Sequence, residues 1–300
     1  MNSNSTKIVG LIGGMSVHSS IKMEQMIHGI VNQVLGGLSC AELLTRTVNF
    51  EPVHQQMLNG EWSALGEQMS TIASSLVRAG ATHVAIATNT MHRIAPQVIE
   101  KIGGDRFIHI GDCTAARCRQ LGVRRILFLG TKESMTSSFM LQRLEDRGLT
   151  VYVPGDAVDK IDEIIFERLC HNVVDPKDFE FLAGHVFPEY IEEWGIEGIV
   201  LGCTELSMLI NERNCSRRLG SQFSSPCGFF PFIDSTTEHV ALLRKPVLVS
   251  SHSCLILRLI PRSRSSKSRV ARARKYVSEK RPRPPLSCTQ TLQRIVPRNI

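Results

Sequence analysis

This chain has few of the signals that would send it across or into a membrane. Residues 1–7 are polar, the apolar run after them is broken by glycines, and the later run at 254–260 is too short to span a bilayer. The sequence therefore predicts neither a secretion signal nor an anchor, and a cytoplasmic location is expected. It also lacks a cysteine framework. The nine cysteines follow no regular spacing, which argues against a disulfide scaffold and fits a reducing compartment. Cys113 and Cys118 stand apart from other Cys/His pairs, so no metal site is expected. A dinucleotide fingerprint is incomplete. In Gly10-Leu11-Ile12-Gly13-Gly14-Met15-Ser16 the third glycine is replaced by Ser16, and no well-placed ribose-binding acid follows. No cofactor is expected. The other use of such a turn is to cradle a carboxylate with backbone N–H groups and serine hydroxyls.

Acidic residues nearly vanish from the last part of the chain. Residues 244–300 hold 15 Lys and Arg against one acid, Glu279, a net charge of +14. The whole chain carries +7, so residues 1–243, with 20 bases and 27 acids, carry −7. An acidic body is thus joined to a basic extension, and any argument for nucleic-acid binding from charge applies to the extension alone. Its Ser/Arg/Lys-rich stretch at 261–280 and the run Arg281-Pro282-Arg283-Pro284-Pro285 predict disorder. The extension is read either as a contact for RNA or acidic surfaces, as a nuclear address, or as a tail with no function. Residues 214–228, with Cys215, Arg217, Arg218 and Cys227 in a serine-rich setting, read as an active-site loop or an insertion.

The body is patterned as an α/β protein. Short apolar runs at 8–12, 43–48, 83–87, 107–110, 124–129, 150–153 and 198–201 predict strands. Helical spacing is found at 19–34, 62–78, 92–101, 139–147, 161–170 and 179–193. Alternating strands and helices predict parallel sheets covered on both faces. The two halves also repeat. Gly13 to Thr88 is 75 residues, Gly130 to Cys203 is 73, and each half has an early strand–Gly–hydroxyl loop and a late strand–(Thr/Cys)-X-Thr loop. The expected architecture is two similar doubly wound parallel-sheet domains facing each other across an active-site cleft. The first spans 7–112, completed by about 228–243; the second spans 113–213. Ligands bind at the carboxyl ends of parallel strands, so Thr88 and Cys203 are expected on opposite walls of one cleft.

Each candidate has two readings. Cys203 alone is most often a buried structural cysteine. Its place after a strand and a glycine, at a helix start, points instead to a thiol whose pKa is lowered by the helix N-terminus. Glu205 either assists proton movement or is merely a helix-starting acid. Thr88-Asn89-Thr90 offers hydroxyl and amide donors at a strand end, where the same groups also serve as caps. His92 reads as a packing or orienting histidine before a catalyst.

GLIGGMS, TVNFEPVHQQMLNGEW, ATNTMH, VLGCTELSML and PFIDSTTEH, in this order between about Lys7 and Leu243, resemble the aspartate/glutamate racemase family. The resemblance implies two facing α/β domains and a mechanism without pyridoxal phosphate, in which one cysteine on each face of the substrate Cα removes or returns a proton. Cys203 matches the second cysteine; Thr88 stands where the first would be. A threonine hydroxyl is far less acidic than a thiol, so Thr88 is suited to giving a proton rather than taking one. Carbanion stabilisation needs donors around the α-carboxylate, for which Asn89, Thr90 and Thr204 are the candidates. A second substrate carboxylate calls for Met15-Ser16, Ser19 or a cation. Arg46 is that cation by resemblance, or else an exposed strand-end arginine. The expected activity is racemisation of a small acidic amino acid, L-aspartate or L-glutamate. A decarboxylase or cis–trans isomerase of small dicarboxylic acids and a non-catalytic amino-acid-binding paralogue are the alternatives. The expected partners are the amino-acid substrate and a second copy of the chain.

Overall fold

The computed structural model describes residues 7–211, 224–225, 228–229 and 231–248. It contains two parallel sheets. The first is built from β1 (Val9–Gly13), β2 (Leu43–Thr47) and β3 (His83–Ile86) in the order β2-β1-β3. The second uses β4 (Arg125–Leu129), β5 (Thr150–Tyr152) and β6 (Gly198–Leu201) in the matching order β5-β4-β6. The two-residue strands β7 (Ser224–Ser225) and β8 (Gly228–Phe229) pair with each other, and β9 (Phe232–Asp234) extends the second sheet beside β6. The repeat read from loop spacing is thus a repeat of strand order.

β1 shows why these runs fold as parallel strands. All five of its residues are buried, as a strand covered on both faces requires. Alternation sends Val9 and Leu11 into one cluster, with Met23, Ile27 and Val31 of the helix Val17–Leu35. Ile12 points into the opposite cluster, with Leu65, Met69 and Ala73 of the helix Trp62–Arg78. Both helices carry their apolar residues at three- and four-residue intervals, the stripe that lies flat on a sheet. The second sheet is enclosed in the same way, around Phe128, Phe179 and Phe187.

Several elements differ from the sequence reading. Residues 107–110 contribute only a single bridge, Phe107 to Val84, before the helix Ile110–Leu121 begins. The cause is local: the His109 ring accepts the Gly111 N–H at 3.0 Å and caps that helix. The helix Phe50–Leu58 lies in a segment quoted above only for its resemblance. The helical segments at 161–170 and 179–193 are interrupted by π turns at Ile164–Arg168 and Leu182–Val186. The segment 228–243 divides between the domains. β9 joins the second sheet, while the helix Ser235–Leu248 buries Val240 and Leu243 against Val9, Leu11 and Met23 of the first. That helix runs five residues into the stretch read as basic extension. The rest of the extension and most of 214–228 lie outside the described residues. No described helix is long and apolar enough to cross a membrane.

Candidate active site

Four loops meet in one cleft, each leaving the carboxyl end of a strand. The loop after β1 supplies Met15 and Ser16, and the loop after β3 supplies Thr88, Asn89 and Thr90. Thr131 follows β4, and Gly202 to Glu205 follow β6. Counted to its open mouth, the cleft encloses about 430 Å³, within the range of small-molecule sites. Thr88 and Cys203 both line it, as the duplicated loop spacing predicts.

Two glycines make the loops possible. Gly14 has φ +100°, and a Cβ there would sit 2.2 Å from the Val48 carbonyl oxygen; only glycine lets the chain turn this tightly. Ser16 then caps the helix Val17–Leu35. Gly202 passes so close to Phe128 that a Cβ would lie 2.1 Å from its ring. This packing fixes where the next residue, Cys203, emerges.

Glu205 is the centre of the polar half. It is buried, and the Ser16 hydroxyl donates to its Oε1 at 2.8 Å. The Cys203 thiol donates to Oε2 at 3.1 Å, and the Thr204 hydroxyl donates to the same oxygen. Although Glu205 precedes the short helix Leu206–Leu209, its side chain makes no capping bond. The carboxylate thus faces the thiol and two hydroxyls rather than the helix N-terminus. Among the described residues, Glu205 has no ion-pair partner.

The lowered thiol pKa expected from a helix start is not found. Burial pushes the Cys203 thiol well above the ordinary range, and the negative charge of Glu205 pushes it further. A backbone N–H, that of Glu205, acts in the opposite direction but does not prevail. A four-residue helix brings little dipole to offset desolvation. In the resting site Cys203 is a neutral thiol beside a carboxylate.

The remaining candidates fall into clear positions. Asn89 donates one amide N–H to the Ser235 hydroxyl at 3.0 Å, and Ser235 in turn donates to the Leu201 carbonyl at 2.7 Å. An amide has two N–H donors, so the other is left for a ligand. The Thr90 hydroxyl lies 3.0 Å from that of Thr131, which donates to Ser134 at 3.0 Å, tying the two domains together at the cleft floor. His92 is not in the lining. Its Nε2 accepts the Ile110 N–H at 3.2 Å, so its proton is on Nδ1, which donates to the Thr88 carbonyl at 2.7 Å. Burial, followed by the charge of neighbouring His239, lowers its pKa to about 3. His92 is thus a neutral ring that orients the Thr88 loop. Ser19 bonds the Ser16 carbonyl. Arg46 is exposed at the end of β2 and is outside the lining.

The sequence reading missed Ser235 as a support, although it lies within the quoted PFIDSTTEH segment. It also missed the apolar wall formed by Phe50, Met57, Ile165, Phe166 and Cys170. These residues carry helical spacing and read locally as ordinary core.

Comparison with known proteins agrees with this geometry. The family model described as Asp/Glu/Hydantoin racemase matches residues 12–243. A candidate Asp/Glu racemase from Yersinia pestis is 32% identical, with a TM-score of 0.70, covering 81% of this chain and 99% of that one. An aspartate racemase homologue from Pyrococcus horikoshii is 30% identical, with a TM-score of 0.66, covering 80% and 98%. Glutamate racemase from Francisella tularensis shares the fold at 13% identity, with a TM-score of 0.55, covering 82% and 85%.

Proposed function

This chain belongs to the Asp/Glu/Hydantoin racemase family and is an amino-acid racemase, and we propose that Cys203 and Thr88 serve opposite faces of the substrate Cα. The observation that carries this reading is that both residues line one cleft, together with the polar side chains of Asn89, Thr90 and Thr204.

The chemistry is independent of pyridoxal phosphate, as in the family. From the L-substrate, the Cys203 proton passes to Glu205 Oε2, already its acceptor at 3.1 Å. The thiolate then removes the Cα proton. The electron pair moves into the α-carboxylate, where fixed amide and hydroxyl donors stabilise the added charge. The Thr88 hydroxyl gives a proton to the other face and is reprotonated from solvent, while Glu205 releases to solvent the proton it took, so that both residues return to their resting states. Because a threonine hydroxyl has no thiol-like pKa, Thr88 is the weaker base. Exchange of the α-proton should therefore outrun inversion when the reaction starts from the L-enantiomer.

The relatives' descriptions name aspartate and glutamate, and on that reading Arg46 would meet the side-chain carboxylate. A specific observation favours a different side chain: among the described residues the cleft lining contains no lysine, arginine or histidine, and it contains the carboxylate of Glu205.

The test is solvent deuterium incorporation at Cα, followed by NMR over a panel of L- and D-amino acids. Cys203→Ala should abolish exchange and inversion, with an unchanged circular dichroism spectrum. Thr88→Val should keep exchange into the L-substrate while losing inversion. Retention of more than a few per cent of turnover by Cys203→Ala would sink the assignment.

A further inference from the structure

The cleft is chemically divided. Hydroxyls, an amide, the thiol and Glu205 gather at the strand ends, where the Cα substituents would sit. The facing wall is apolar and comes from both domains. Phe50 and Met57 come from the helix Phe50–Leu58, and Ile165, Phe166 and Cys170 come from the turns at 164–171. Behind it, the His54 ring stacks on Phe166 at 5.1 Å and meets Phe50 at 5.5 Å, so an aromatic series closes the wall across the domain boundary.

Two carboxylates act on this wall, one of them, Asp162, partly offset by Lys132. Glu205 is buried in the cleft and Asp162 stands behind it. Cys170 reports the effect on an anion at this wall. Its thiol is pushed up to about 12, by burial first and then by Glu205 and Asp162. A substrate carboxylate placed there would meet the same desolvation and repulsion, with no cation among the described lining residues to offset them. Arg46 is exposed and outside the lining. An aliphatic side chain would instead bury apolar surface against Met57, Ile165 and Phe166.

We infer that the amino acid this racemase accepts carries an uncharged, largely aliphatic side chain, held against the Phe50–Met57–Phe166 wall. The inference rests on the racemase reading above. Its test measures kcat/KM for Cα inversion with L-methionine, L-glutamine, L-glutamate and L-aspartate, by chiral chromatography. L-glutamine separates charge from length, being the neutral counterpart of L-glutamate. Methionine is expected to exceed glutamate at least tenfold, with glutamine also above glutamate. Met57→Lys should raise the glutamate-to-methionine ratio at least tenfold, and Arg46→Met should leave that ratio unchanged. Glutamate or aspartate equalling methionine would overturn the inference, as would a glutamate-selective loss in Arg46→Met. Failure of every amino acid to exchange its α-proton would instead overturn the racemase assignment itself, and the inference with it.

Discussion

Replacing Glu205 with glutamine separates two roles that the carboxylate combines. Glutamine keeps the shape, and its one oxygen, placed where Oε2 is, can still accept from Thr204 and Cys203, while its NH2 takes the place of the oxygen that accepts from Ser16 at present. It removes the negative charge and the ability to take a proton. The two losses act in opposite directions on the thiol. Glu205 is the second cause, after burial, of the raised Cys203 pKa, so Glu205→Gln should lower that pKa. Because the thiol reacts as its thiolate, the alkylation of Cys203 by iodoacetamide rises with pH, and in the variant the rise should move to lower pH. Turnover should nonetheless fall. A general base within hydrogen-bond reach, here 3.1 Å, contributes about 10²- to 10⁴-fold, and kcat should drop within that range. The assay is paired: pH-dependent alkylation at Cys203 by mass spectrometry, and kcat by chiral chromatography, with the thermal midpoint as a folding control. A more reactive thiol together with an unchanged or higher kcat would refute the proton-accepting role and leave Glu205 as a charge that merely suppresses the thiolate.

Acid should destabilise the folded chain through its buried histidines. Burial holds His239 at about 4 and, with the charge of His239, holds His92 at about 3, both from an ordinary 6.5. Between 6.5 and those values the unfolded chain binds protons that the folded chain does not. Stability is therefore full above pH 6.5 and is lost as pH falls toward 4 and then 3. The His239 gap corresponds to about 3 kcal/mol by pH 4. Urea midpoints at pH 7 and pH 4 should show the loss, and His239→Phe should flatten it; an unchanged slope in that variant would contradict the argument. At Gly202, alanine would bring a Cβ within 2.1 Å of the Phe128 ring. The strain should cost about 1–3 kcal/mol, and a displaced Cys203 should lower kcat by up to about 10²-fold. Near-wild-type urea and kinetic behaviour would show that the close approach is readily relieved.

The parts of the site that were legible in the sequence are those where backbone and chemistry coincide. Gly13-Gly14, Thr88-Asn89-Thr90 and Gly202-Cys203-Thr204 each follow an apolar run, and a parallel strand that ends in such a loop has few other uses. Their 75- and 73-residue spacings announced the repeat, and the two sheets carry it as β2-β1-β3 and β5-β4-β6. The apolar wall was not legible. Met57 and Ile165 have the periodicity of core residues, and only the meeting of two distant helices makes them the lining of a cleft. The strand expected at 107–110 failed because four apolar-rich residues say nothing of the His109 cap that turns the chain into a helix. The thiol was misjudged for a related reason. Sequence shows a helix start beside Cys203, but not that the helix has four residues or that Glu205 turns back onto the sulfur.

A neutral resting thiol is compatible with racemisation once the substrate's own charge is considered. An amino acid brings an ammonium group into a cleft whose buried carboxylate, Glu205, has no ion-pair partner among the described residues. Placed beside Glu205, that ammonium cancels the charge that holds the Cys203 proton in place, so the same event that fills the site makes the thiol easier to ionise. The empty enzyme thus avoids an unpaired buried thiolate, which would be both costly and open to oxidation. A substrate with a second carboxylate would restore the negative charge that its ammonium had removed. On this view the choice of an uncharged side chain and the resting state of Cys203 have one electrostatic cause, the buried carboxylate two residues after the thiol.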